Sequence, residues 1–265
     1  MRIVKVPGIN CFGKNNGSRN AGSAVLKELR NIWSSEKGKP VDADLLDVEE
    51  IHVDNSNLKE QEKLICENSG EEFENQERVI FLGGDHSISY PIGRAFLENC
   101  RKSRKAPCLI VFDAHPDCMP RKDASHEEWL RALIEGGFPA GNVMLVGARN
   151  SAREEIEFLG KNRIRQVSIN QIIESIEDMS EIIMEFASGK ELYVSFDIDV
   201  IDPAFAASTG YKEPGGLTSR QALYIISRIG LMKNLRAFDL VEIDSENDKG
   251  GMTVKLGAKL LAELL

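Results

Sequence analysis

The chain has 265 residues, 42% hydrophobic and 28% charged, which is ordinary globular composition with enough length to bury a large core, so collagen, coiled coil and wholesale disorder are set aside. A formal net charge of −9 argues against nucleic acid or an anionic membrane surface as partner and is compatible with a cationic ligand. No apolar run approaches the roughly 18 residues of a membrane helix, the opening Met1-Arg-Ile-Val-Lys-Val-Pro lacks a signal-peptide stretch, and five cysteines without a CxxC pair fit free thiols in a reducing cytoplasm.

Taken in chain order, short apolar runs alternate with amphipathic stretches. Strands are expected over 2–6, 50–53, 79–82, 108–112, 143–146, 164–168, 192–196 and 235–240. Helices are expected over 21–30, 58–66, 88–97, 127–135, 153–159, 172–186, 220–229 and 254–265. Runs of Val, Ile, Leu and Phe suit strands buried on both faces. Their alternation with helices means βαβ units and a mainly parallel sheet covered by helices. The polar segment 54–77 reads as a solvated helix and loop. With no linker and no internal repeat, a single domain over 1–265 is expected.

Sheets of this kind place their chemistry at the C-terminal ends of the strands. After 108–112 comes Asp113-Ala-His115-Pro-Asp117. If the strand continues, alternation sets Asp113, His115 and Asp117 on one face. After 192–196 comes Asp197-Ile-Asp199-Val-Ile-Asp202-Pro203, where Asp197 and Asp199 share a face and Asp202 reads as a turn residue. After 79–82 comes Gly83-Gly-Asp85-His86-Ser87. Here two glycines let the backbone turn sharply, Ser87 caps the next helix and His86 sits at the mouth of the sheet. Four of these carboxylates and two imidazoles on one spot would repel one another strongly without cations. Four carboxylates balance two dications, and mostly oxygen donors with no thiolate favour Mn²⁺ over structural zinc. Two such ions about 3.5–4 Å apart share and deprotonate a water at neutral pH. Phosphoester and C–N hydrolysis both use such sites. A phosphoesterase should add further histidines and a basic clamp, whereas the one spare histidine, His52, reads as a surface residue.

With these residues in place, the sequence resembles the ureohydrolase family of arginase, agmatinase and formiminoglutamase. The resemblance rests on Gly83–Ser87, Asp113–Asp117 and the segment 195–203, and continues through Thr209-Gly-Tyr211 to Leu217 and Asp239-Leu-Val-Glu242. It implies a three-layer α/β/α sandwich around an eight-stranded parallel sheet. It implies two manganese ions per chain, one held by His86, Asp113, Asp117 and Asp197, the other by Asp113, His115, Asp197 and Asp199. Glu242 matches the acid that holds a substrate guanidinium, a pairing that suits a carboxylate fork. His126 resembles the family's proton-shuttling histidine, and Asn150, Ser151 and Tyr211 stand at substrate-contact positions. Two positions depart from the family pattern: Glu127 replaces a glycine and Tyr211 a threonine.

The implied reaction releases urea from a guanidino compound. Met119 stands where arginases carry a carboxylate-binding residue, so agmatine, giving putrescine, is expected over L-arginine. Arg121 and Lys122 could instead clamp a carboxylate. Arginase, then formiminoglutamase, and a non-catalytic ligand-binding member of the fold are the alternatives. The family commonly forms homo-oligomers, so a cytoplasmic trimer or hexamer is expected.

Overall fold

The computed structural model describes residues 1–10, 15–120 and 125–265. Eight short runs form β1 (Arg2–Val6), β2 (Val48–Glu50), β3 (Val79–Gly83), β4 (Pro107–Phe112), β5 (Val143–Val146), β6 (Arg165–Val167), β7 (Glu191–Asp197) and β8 (Leu235–Val241). They pair in parallel throughout, in the order β2-β1-β3-β8-β7-β4-β5-β6. The helices are α1 (Ala21–Leu29), α2 (Leu58–Asn75), α3 (Ser89–Ser103), α4 (Trp129–Glu135), α5 (Arg153–Asn162), α6 (Ile169–Glu174), α7 (Ile176–Phe186), α8 (Ser219–Ile229) and α9 (Met252–Ala262).

Alternation along each strand divides the core in two. Ile80, Leu82, Ile110, Val194 and Phe238 pack on one face of the sheet with residues of α1, α8 and α9. Phe81, Leu109, Val111, Tyr193 and Ala237 pack on the other with Phe73 of α2, Phe96 of α3 and Leu133 of α4. The result is the expected α/β/α sandwich, with every residue of β3, β4 and β5 buried.

Three expected elements differ markedly. The strand at 50–53 lies instead at Val48–Glu50, because the edge ladder pairs Ile3, Val4 and Lys5 with Val48, Glu49 and Glu50. The single helix at 172–186 is two helices. Ser175 is extended between α6 and α7, and its side chain accepts the Asp178 N–H, capping α7. The segment 54–77 is mostly one long helix, α2, with Gln61, Ile65, Ser69 and Phe73 turned inward every four residues.

Candidate active site

β3, β8, β7 and β4 are neighbours at the centre of the sheet, and all four end at one place. His86 follows β3 in a 3-10 turn, Asp113 follows β4, Asp197 ends β7 and Glu242 follows β8. The local routes differ from simple strand alternation. β4 stops at Phe112, and Asp113 folds the chain over by accepting the His115 N–H at 2.6 Å. Asp117 is reached in a left-handed conformation with φ 50°. Asp199 lies in a 3-10 turn and donates its N–H to Asp197 Oδ1 at 2.7 Å.

The Gly83-Gly84 pair also works differently from the expectation. Neither glycine has positive φ. They are needed for close approach: a Cβ on Gly84 would lie 1.9 Å from the Gly8 carbonyl oxygen, and one on Gly83 2.2 Å from Ile88 Cδ1. Asp85, rather than Ser87, caps the turn by accepting the Ser87 N–H at 3.1 Å, and α3 begins two residues later.

Two groups of ligand-type atoms converge, His86 with Asp113 and Asp197, and Asp113 with His115 and Asp199, each group's atoms within 4.8 Å of one another. Asp113 belongs to both. His86 Nδ1 lies 3.0 Å from Asp113 Oδ2, 3.0 Å from Asp117 Oδ2 and 3.3 Å from Asp197 Oδ2. His115 Nδ1 lies 2.9 Å from Asp199 Oδ2. Asp117 stands at the edge of the first group, where its Oδ2 accepts the Trp129 indole N–H at 2.8 Å. His86 Nδ1 and Asp113 Oδ2 are buried without a hydrogen-bond partner among the described residues. Their lone pairs are thus available to a shared cation, the arrangement a bound metal requires.

The electrostatics agree. Burial and the neighbouring Asp117 and Asp199 carboxylates push Asp113 up to about 6. Burial with Asp199 and Asp113 pushes Asp197 well above the usual range. Burial opposes charge on His115, but contact with Asp113 and Asp199 carries it up to about 12. Such a set of acids holds protons on Asp113, Asp197 and the two imidazoles unless cations neutralise it, while contact with His115 keeps Asp199 low.

A buried relay that sequence reading had not singled out orients His86. Its Nε2 lies 2.9 Å from Ser195 Oγ, and Ser195 Oγ donates to Asp239 Oδ1 at 2.8 Å. Ser89 Oγ donates to Asp239 Oδ2 at 2.8 Å, and the Tyr193 hydroxyl also donates to that oxygen. Because the Ser195 proton goes to the carboxylate, its oxygen accepts from His86 Nε2–H, which leaves Nδ1 as the bare donor atom facing the cluster. The signal is a Ser and an Asp each flanked by apolar residues within a buried strand.

A cleft of about 220 Å³ opens over the cluster, lined by His86, His115, Asp117, Met119, His126, Glu127, Asn150, Ala152, Glu155, Asp197, Asp199, Thr209, Tyr211 and Glu242. Glu242 is 4% exposed and left-handed, φ 65°. Its Oε1 accepts the His86 N–H at 2.7 Å and its Oε2 the Asn15 side-chain amide at 2.5 Å. Burial and then the Asp85 carboxylate push Glu242 up to about 7. His126 is 6% exposed, and neither ring nitrogen has a hydrogen-bond partner among the described residues. The Tyr211 ring stands 5.7 Å from that of His126 and 5.8 Å from that of His115. Asn150 donates to Glu213 Oε1 at 2.6 Å, while Ser151 is not among the described lining residues. Asp202 accepts the N–H groups of Ala204, Gly215 and Gly216, as a turn residue should. The side chain of His52 is 88% exposed. Cys11, Arg121 and Lys122 lie outside the described residues.

The sequence matches the model of the Arginase family over residues 2–265. It is 32% identical over 262 residues to Arginase 1, mitochondrial, of Arabidopsis thaliana, covering 94% of this chain and 70% of that one. It is 34% identical over 227 residues to a guanidinobutyrase of Pseudomonas aeruginosa, covering 83% and 69%. The crystal structure of a hypothetical agmatinase from Burkholderia thailandensis superimposes with a TM-score of 0.84 at 27% identity, covering 100% of this chain and 84% of that one. No helix among the described residues is long and apolar enough to cross a membrane. The chain belongs to the arginase family, binuclear metal-dependent hydrolases of amidino C–N bonds in guanidino compounds.

Proposed function

We propose that the chain hydrolyses agmatine to putrescine and urea with two Mn²⁺ ions, held by His86, Asp113, Asp117 and Asp197 and by Asp113, His115, Asp197 and Asp199. The observation that carries the substrate choice is the cleft wall. Among the described residues it presents Met119 and several carboxylates but no lysine or arginine, so a substrate carboxylate would meet like charge there and no cationic partner among those residues. Two dications held there would supply Lewis-acid charge that activates water at neutral pH. Glu242, fixed by the His86 N–H and the Asn15 amide, accepts the guanidinium and orients its carbon toward the cluster. The proton needed by the departing amine comes through His126, whose two ring nitrogens lack partners inside the cleft. Asn150 and Tyr211 line the same cleft, and Ser151 is carried over from the family pattern as a further contact.

The likeness to plant arginase favours L-arginine as the second reading. Urea release decides between them: kcat/KM favours agmatine by at least about tenfold, as expected where one desolvated charge lacks a partner. Arginine as the better substrate overturns the choice, and no urea from any guanidino compound overturns the reaction. A cytoplasmic homo-oligomer, trimer or hexamer, completes the proposal. Four described cysteines, Cys66, Cys100, Cys108 and Cys118, are free, which suits a reducing compartment.

A further inference from the structure

Glu127 and Tyr211, the two departures from the family pattern, meet. The Tyr211 hydroxyl donates to Glu127 Oε1 at 3.2 Å across 84 residues of sequence. The Glu127 backbone is pinned as well, its carbonyl accepting the Met119 N–H at 3.1 Å.

The other carboxylates of the described wall are accounted for. Asp117, Asp197 and Asp199 border the metal cluster, and Glu242 faces the guanidinium. Glu155 accepts the N–H groups of Cys118 at 2.9 Å and Ala152 at 2.8 Å. Glu127 remains. Its side chain is 49% exposed, and the only nitrogen base within 4.0 Å of its carboxylate among the described residues is the His126 ring, whose Nε2 lies at that distance. His126 itself is buried with both ring nitrogens unpartnered among the described residues. A half-solvated carboxylate with no lysine or arginine beside it among the described residues, held by a phenol at the cleft wall, is complementary to a primary ammonium.

We infer that Glu127, positioned by the Tyr211 hydroxyl, binds the terminal ammonium of the substrate and selects guanidinoalkylamines over chains that end in a carboxylate. This deepens the agmatine reading and rests on it. The test compares kcat/KM for agmatine and 4-guanidinobutyrate in the Mn²⁺-loaded wild type, Glu127→Gln and Tyr211→Phe. Glu127→Gln lowers the agmatine-to-guanidinobutyrate ratio about tenfold, the worth of roughly one partly solvated ion pair, with the loss falling in the agmatine KM rather than kcat. Tyr211→Phe lowers the same ratio by a smaller factor. A ratio unchanged within twofold in Glu127→Gln, with wild-type agmatine turnover intact, overturns this inference alone. Wild-type protein that releases no urea from agmatine overturns the agmatine reading and this inference with it.

Discussion

At the scale of single residues, the site is an arrangement of groups each held by a second one. His86 is aimed by Ser195, and Ser195 by Asp239. Asp117 is held by the indole of Trp129, and Glu242 by Asn15 and the His86 N–H. Two of the four described non-glycine residues with positive φ are Asp117 and Glu242; the other two, Arg104 and Arg163, end helices. Left-handed backbone costs an ordinary residue about 1–3 kcal/mol and collects at functional sites. Removing the Ser195 hydroxyl leaves the His86 ring without its outer partner. Ser195→Ala weakens metal binding about 10- to 100-fold while circular dichroism of the metal-free protein stays that of the wild type. Titration of Mn²⁺ with the variant at wild-type affinity contradicts the relay. The residues that converge on the cluster were legible in the sequence because Asp and His stand just past apolar runs, at every second position in Asp113–Asp117 and Asp197–Asp199. The relay was not, because it depends on lateral register: Ser195 pairs with Asp239 across β7 and β8, and no local pattern states which strands are neighbours.

At the scale of elements, strands and helices were legible wherever the chain is buried on both faces. They slipped where burial is weak. β2 is an exposed edge whose register is set by β1 alone. The break between α6 and α7 is set by Ser175, and Ser168 with Gln171 forms a capping box at the start of α6; these polar starts carry the signal that hydrophobic periodicity hides. The turn after β3 shows why composition alone misleads. Gly84 is there to let its backbone lie against Gly8, with its N–H donated to the Val6 carbonyl at 2.9 Å. Backbone atoms cannot rotate away from an added methyl as a side chain can. Gly84→Ala is therefore expected to cost about 2–4 kcal/mol by overpacking. Gly70→Ala, in α2 with open space around it, is neutral or stabilises by up to about 1 kcal/mol through helix propensity. Denaturant unfolding of both variants checks this, and equal stabilities contradict the close-approach account.

At the scale of the whole molecule, the sheet order matters more than any one loop. Placing β3, β8, β7 and β4 side by side brings residues from 86 to 242 to one spot at the C-terminal edge, as expected of parallel sheets. The cluster they make carries more negative charge than its own imidazoles can neutralise. Bound cations would neutralise that charge in place of the protons on Asp113 and Asp197, whose pKa values are raised by burial and the neighbouring carboxylates. The most direct test is elemental analysis of active protein together with urea release before and after chelation. Active protein is expected to hold about two Mn²⁺ per chain, to lose turnover with a chelator, and to recover it with Mn²⁺ better than with Zn²⁺. Full activity with a single zinc per chain, or with no metal, would contradict this expectation.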